Sequence, residues 1–114
     1  MRVLLVIVAI FFATMTHADY KIETVAENLN FPWSVAFLPD ESFLVALRVG
    51  EVRRVSPDGD VSEPLTGLPA SFVESQGGYF DVVLDPDFET NQIVYLSFAY
   101  GSGESNGTRI VRGV

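Results

Sequence analysis

The chain of 114 residues contains no cysteine, a single histidine and few basic side chains. Without cysteine it can form neither disulfides nor thiolate-bound metal sites. Seven Lys and Arg stand against 15 Asp and Glu, which gives a formal net charge of −8. Binding to nucleic acid or to an anionic membrane surface relies on an excess of positive charge, so the composition argues against both partners.

The one long apolar run lies at the N-terminus. Residues 3–12 are apolar without interruption, a basic start precedes them, and small residues lead up to Ala18. This layout is typical of a secretory signal peptide, so we expect residues 1–18 to be removed and a mature chain, 19–114, to be exported to the periplasm or the medium. Ten apolar residues are too few to cross a hydrocarbon core of about 30 Å, so no membrane span is expected after cleavage. His17 leaves with the signal, and the mature chain has no imidazole for acid–base chemistry.

After the signal, apolar residues recur with a period of two in short runs that are separated by Gly, Pro, Asp and Asn. This pattern is typical of β-strands joined by turns, and no stretch has the 3.6-residue stripe of an amphipathic helix. The fold is therefore predicted to be all-β. The predicted strands are 20–26, 33–38, 43–47, 52–55, 79–84, 93–99 and 109–111, with a short outer strand at 61–63.

The strand order repeats with an offset of 47 residues. Residues 33–40 align with 80–87, with identical Val, Pro and Asp, and after two extra residues 44–47 aligns with 93–96. Periods in the forties built from several strands are typical of propeller blades, and a propeller needs about four to eight blades to close. We therefore predict one to two blades of a truncated propeller, with strand 20–26 pairing with the last blade. A chance match between two generic hairpins is the alternative.

Two segments, 30–40 and 76–97, carry a resemblance to a known family. They are similar to the opening blades of the soluble quinoprotein sugar dehydrogenases of the glucose/sorbosone dehydrogenase family, especially the periplasmic aldose sugar dehydrogenase branch. The Gln-Gly-Gly stretch that leads to Asp-Pro-Asp-Phe is the most specific part. The resemblance implies a six-bladed propeller that binds pyrroloquinoline quinone (PQQ) and calcium. It also implies oxidation of an aldose at its anomeric carbon to a lactone, with hydride passing to the quinone and a histidine taking the hydroxyl proton.

The resemblance assigns little of that machinery to this chain. The family's catalytic histidine and its PQQ and calcium ligands come from later blades, so they are expected beyond Val114. The isolated chain is expected to have no catalytic, cofactor-binding or metal-binding residue and to be inactive. Gln76 alone carries over, because it matches a family glutamine on the sugar side of the pocket and its amide can both donate to and accept from hydroxyl groups. The alternative is that Gln76 only caps the loop before Gly77.

The chain also departs from the family's pattern. Relatives usually read Thr-Glu-Arg where residues 46–48 read Ala-Leu-Arg, so an acidic partner of Arg48 is lost. The family's Leu-Leu after Gly-Gly is Tyr-Phe at 79–80, and its usual His before Pro-Asp-Phe is Asp85. These departures weaken the assignment to one branch more than the prediction of the fold.

Other candidate sites have simpler interpretations. Oxygen-bearing side chains alternate over residues 85–91, which is compatible with calcium, but the segment lacks the glycine of an EF-hand loop and favours turns closed by aspartate side chains. Residues 106–108 form a glycosylation sequon, a match that is common by chance. Trp33 has the spacing of a residue that packs between blades. Arg53 and Arg54 are assigned to a solvated edge.

The sequence thus predicts the N-terminal part of a PQQ-dependent aldose dehydrogenase, which acts on a sugar and passes electrons to an acceptor. Two rival classes stay open, namely a non-catalytic propeller that binds carbohydrate or protein, and a propeller hydrolase of the lactonase type. A histidine in the next blade would favour the dehydrogenase, and metal-ligating Glu, Asn and Asp on the axis would favour the lactonase. The oligomeric state is not predicted.

Overall fold

The computed structural model describes residues 18–114, which form two three-stranded antiparallel sheets. The first sheet contains β1 (Pro32–Phe37), β2 (Phe43–Leu47) and β3 (Glu51–Val55), and the second contains β4 (Tyr79–Leu84), β5 (Val94–Gly101) and β6 (Asn106–Gly113). A one-turn helix, α1 (Phe88–Asn91), connects β4 to β5. The all-β prediction is confirmed, and each sheet has three of the four strands of a propeller blade.

The predicted signal peptide falls, except for Ala18, outside the described residues and stays a prediction. Within 18–114, no helix has the length and apolar character needed to cross a membrane.

Residues 20–26, which precede β1, form no strand among the described residues. Their predicted partner, the last blade, is not among residues 18–114, so the predicted pairing stays a prediction. Tyr20 and Ile22 are 91% and 94% exposed, and none of the described strands pairs with this segment. A strand needs a neighbour for its backbone N–H and C=O groups, and an alternating sequence alone does not supply one. Ala26 and Leu29 nevertheless pack on the first sheet.

β2 explains why the two sheets stack. Leu44 and Ala46 face the second sheet, whereas Val45 and Leu47 face the opposite side, and all four side chains are buried. A strand that is apolar on both faces requires cover on both, as in stacked sheets. The core between the sheets is formed by Ala36, Leu44, Ala46 and Val52 from the first sheet and by Tyr79, Val82, Leu96 and Phe98 from the second.

A serine joins the first strands of the two sheets. The Ser34 hydroxyl donates to the carbonyl oxygen of Phe80 at 2.8 Å and accepts from the backbone N–H of Val82 at 2.9 Å. Both main-chain groups belong to the second sheet, so the Ser34 side chain fixes the position of β1 along β4.

The first hairpins of the two sheets differ in length more than the sequence alignment predicts. Five residues (38–42) connect β1 to β2, whereas nine (85–93) connect β4 to β5, so the second connection has four extra residues rather than two. Helix α1 accounts for the difference. Four residues are too few to produce a helical periodicity, which is why the sequence did not predict it. The predicted outer strand 61–63 is reduced to one bridge between Val61 and Val55.

Candidate functional site

The connection between the sheets is held against the end of β5. The backbone N–H of Phe72 and the hydroxyl of Ser71 both donate to the carbonyl oxygen of Ala99 at 2.9 Å. The Tyr79 hydroxyl donates to the carbonyl oxygen of Pro69, and burial raises the pKa of this hydroxyl, which keeps it protonated as a donor. Tyr79 therefore anchors this long connection.

A tight turn presents Gln76. The backbone N–H of Gly77 donates to the carbonyl oxygen of Glu74 at 2.7 Å, and Ser75 has a positive φ of 53°. Gly78 follows with φ of 151°, and a Cβ on it would lie 1.8 Å from the carbonyl oxygen of Arg48. Only glycine permits this approach, which brings the start of β4 against the end of β2.

Arg48 connects three segments at this point. Its guanidinium donates to the carbonyl oxygen of Ser75 and lies over the ring of Phe31, with 4.5 Å from the guanidinium carbon to the ring centroid. Its backbone N–H donates to the Phe31 carbonyl oxygen at 2.9 Å, and its carbonyl oxygen accepts from Tyr79 at 3.3 Å. The Arg48 guanidinium is thus held by a carbonyl oxygen and an aromatic face.

These contacts leave an open cleft of about 540 Å³ at the junction of the two sheets. We call it the junction cleft, and it is lined chiefly by Trp33, Phe72, Gln76, Phe80, Asn106 and Thr108. Gln76 is exposed, and its side chain makes no hydrogen bond to any of the residues 18–114. Its amide is therefore available to a ligand, whereas the interpretation of Gln76 as a loop cap calls for a bond to the loop.

One wall of the junction cleft is aromatic. Trp33 is 46% exposed, and its ring centroid lies 5.6 Å from that of Phe80, with the rings inclined at 58°. Polar lining comes from the start of β6, where Asn106 and Thr108 lie. The Asn106 amide donates to the carbonyl oxygen of Ser102 at 3.1 Å, which stabilises the hairpin tip.

The segment considered for calcium is a turn closed by an aspartate. An oxygen of the Asp85 carboxylate accepts from the backbone N–H of Asp87 at 2.9 Å and from the Asn91 amide at 2.8 Å, and the other accepts from the Tyr95 hydroxyl at 2.8 Å. The bond from Asn91, followed by those from Asp87 and Tyr95, lowers the pKa of Asp85. Among residues 18–114, no group of three or more His, Cys, Asp or Glu has a geometry that could hold a metal ion.

The two arginines of β3 are engaged within the sheet. The Arg53 guanidinium bonds to Glu51 at 2.8 Å and to the Ser62 carbonyl oxygen at 3.1 Å. Arg54 forms an ion pair with Asp40. Both guanidinium groups are thus paired within the chain, Arg54 exposed and Arg53 half-buried, and their assignment to a solvated edge stays a prediction.

Two stacked antiparallel sheets with these connections are successive blades of a β-propeller. The chain belongs to the Glucose / Sorbosone dehydrogenase family, whose model matches residues 29–114.

Several proteins that the chain resembles are described as aldose sugar dehydrogenases. Aldose sugar dehydrogenase YliI of Escherichia coli K12 is 38% identical over 95 residues, which are 82% of this chain and 26% of that protein. The crystal structure of the soluble E. coli aldose sugar dehydrogenase in its apo-form superposes with a TM-score of 0.75 and 38% identity, over 80% of this chain and 27% of that one. The PQQ-bound aldose sugar dehydrogenase of Streptomyces coelicolor gives a TM-score of 0.71 and 33% identity, over 80% and 26%. The chain thus spans about a quarter of the length of these relatives.

The structure brings Gln76, the one site residue that the sequence predicts, together with side chains that were given other roles. Trp33 was assigned to packing and residues 106–108 to a chance sequon, yet both reach the junction cleft. The repeat offset could have linked Trp33 to Phe80, since the two occupy equivalent positions. No local signal in the sequence indicates that the β5–β6 hairpin returns to the same cleft.

Proposed function

We propose that this chain forms the first two blades of a longer, exported, PQQ-dependent dehydrogenase that oxidises aldoses at the anomeric carbon to lactones. Membership of the family and the likeness to two aldose sugar dehydrogenases, one of them PQQ-bound, support the reaction class. The observation that carries the proposal in this chain is the amide of Gln76, which lines the junction cleft and has no partner among residues 18–114. Arg48, together with the two glycines after Gln76, holds the turn that presents it.

Residues 18–114 do not fit the cofactor. PQQ, when bound, supplies the acceptor for the electrons of the sugar. It is a polycarboxylate, whereas Glu74 is the one charged side chain among the described residues that line the junction cleft, and its sign is repulsive. These residues offer calcium no cluster of ligands either. We propose that the ligands of both groups, and the histidine base, belong to the part of the longer protein that follows Val114, and we expect the chain by itself to be inactive.

The contribution of this chain is to bind the sugar. The Nε2 of Gln76 can donate to one sugar hydroxyl while its Oε1 accepts from another, and such a pair of bonds fixes the orientation of a ring. Gln76 has no titratable group, so it positions the substrate and moves no proton.

The test uses the full-length protein. It is isolated after export, where an N-terminus at Asp19 is expected, then reconstituted with PQQ and calcium and followed by dye reduction with glucose and other aldoses. Reduction that depends on both additions is expected. If no aldose reduces the dye, the dehydrogenase assignment is wrong. Sugar binding without reduction would favour a binding module, and hydrolysis of lactones would favour the hydrolase class.

The Gln76→Ala substitution tests the role of the side chain. Loss of one or two neutral hydrogen bonds should raise KM for the aldose by about two- to tenfold with a smaller change in kcat. Because the Gln76 amide has no partner among residues 18–114, the melting temperature should not change. The control is Gln92→Ala, which removes a bond to the Phe88 carbonyl oxygen outside the cleft and should leave KM unchanged. A fall in stability with an unchanged KM would instead support the loop cap.

A further inference from the structure

The first strand of each sheet contains a β-bulge at the same repeat position. In β1, Pro32 pairs with Leu47 and Ser34 with Ala46, so Trp33 is an extra residue with no partner in β2. In β4, Tyr79 pairs with Phe98 and Val82 with Leu96, so two residues, Phe80 among them, lie opposite one. Bulges re-aim side chains and are frequent beside active sites.

Both bulges direct an aromatic ring to the junction cleft. Trp33 and Phe80 lie in contact there, and 46% of Trp33 stays exposed although the ring belongs to a strand that packs against the second sheet. Within residues 18–114 the two sheets cover Trp33 only in part, and its side chain lines the junction cleft beside Phe80.

The cleft therefore combines an apolar wall with a polar rim. The aromatic pair stands on one side, and Gln76, Asn106 and Thr108 supply amide and hydroxyl groups around it. A pyranose has the complementary chemistry, because its ring presents C–H groups on one face and hydroxyl groups around its edge. An open-chain polyol has the hydroxyl groups but no fixed apolar face.

We propose that Trp33 and Phe80 form a stacking platform for the pyranose ring whose hydroxyl groups Gln76 binds, which makes Phe80 a specificity-determining residue. The choice of a sugar as ligand rests on the proposed function. The ring platform itself follows from the two bulges.

The test measures binding rather than turnover, in the full-length protein without cofactor. Dissociation constants for D-glucose and for D-sorbitol, its open-chain relative, are compared by titration calorimetry. The Phe80→Leu substitution keeps an apolar side chain but removes the ring, so it should weaken glucose binding by about three- to tenfold and sorbitol binding by less than about twofold. Gln76→Ala should weaken both. The control, Phe88→Leu on α1, should weaken neither.

Equal losses for glucose and sorbitol, no loss with Phe80→Leu, or no glucose binding by the unmodified protein would each overturn the platform. If Phe80→Leu does not fold, saturation-transfer spectra of the unmodified protein decide. Selective irradiation of aromatic protons must then reach the C–H protons of glucose, and its failure to do so also overturns the proposal. Glucose binding with the expected pattern but no dye reduction would refute the dehydrogenase and leave the platform standing. Dye reduction by the unmodified protein, together with unchanged glucose binding by the Phe80→Leu variant, would support the dehydrogenase and refute the platform.

Discussion

The two sheets have the same Pro-Asp pair at the same repeat position, yet different aspartates close their first hairpins. In the first sheet the aspartate of the pair, Asp40, accepts from the backbone and the hydroxyl of Ser42 and pairs with Arg54. In the second sheet the acceptor is Asp85, which stands before the pair and binds the Asn91 amide and the Tyr95 hydroxyl. In both sheets a carboxylate accepts hydrogen bonds in the first hairpin, but it occupies a different position relative to the Pro-Asp pair.

The third strands show why a carboxylate is needed. Arg54 lies opposite Leu44 in the first sheet, and Arg112 lies opposite Tyr95 in the second. Each arginine lies on the third strand of its sheet. Its charge lowers the pKa of the aspartate in that sheet, Asp40 or Asp85, although the hydrogen bonds from Ser42 and Asn91 lower these pKa values more. Because the first hairpin of the second sheet is longer, a different aspartate lies near the third-strand arginine. The two blades share the Pro-Asp sequence but are stabilised by different hydrogen bonds.

The largest effect is expected where the two sheets meet. Gly78→Ala places a Cβ within 1.8 Å of the Arg48 carbonyl oxygen at a φ of 151°, and should lower the free energy of unfolding of the full-length protein by about 3 kcal/mol or more. Gly113→Ala, where nothing lies within 4 Å, is the control and should be close to neutral. Thermal unfolding measures both. A Gly78→Ala protein that melts with its parent would mean that the sheets do not depend on this contact.

A smaller loss is expected from Ser34→Ala, which leaves the Phe80 carbonyl and the Val82 N–H without their partner across the two sheets. We expect about 2 kcal/mol in chemical denaturation. Ser97→Ala is the matched control inside the second sheet, where the hydroxyl accepts one bond, from the Asp81 N–H at 3.0 Å, and should cost about 1 kcal/mol or less. Equal losses would show that the contact between the sheets is no more critical than a contact within one.

The smallest effect is expected on the stability of the protein at acidic pH. The pKa of Asp85 lies below its ordinary value of 3.8 in the folded chain, so its contribution to stability is present above that value and is lost as the pH falls through the lowered pKa. Asp85→Asn should therefore flatten the decline of the melting temperature with falling pH. The exposed Asp58→Asn serves as control. An unchanged slope for Asp85→Asn would mean that Asn91 and Tyr95 stabilise the turn without preferring the charged carboxylate.

Much of the sheet structure could be predicted from apolar alternation. The predicted bounds of β2 and β4 agree with the structure, since a buried strand between turn signals leaves little freedom. β6 was predicted as 109–111 but spans Asn106–Gly113, because pairing with β5 along its whole length overrides the low strand propensity of Asn106 and Gly107. The segment 20–26 has the pattern of a strand but forms none among the described residues, which do not include the blade predicted to pair with it.

The candidate site was only partly predictable. The motif around Gln76 is local, so a single sequence can reveal it. The aromatic wall is not local, because an alternation argument assigns each strand residue to one of two faces, and a bulge at Trp33 or Phe80 breaks that count. The polar rim at Asn106 depends on a hairpin whose direction no short motif specifies.

The two bulges also have an evolutionary consequence. A residue inside a ladder is constrained by the neighbours it packs against on both faces, whereas Trp33 and Phe80 stand outside the regular pairing of their sheets. Copying a blade therefore duplicates one position that can change its chemistry while the ladder around it stays as it was. A repeat protein built in this way acquires, with each duplication, one more bulged position at which the side chain can change without a new fold.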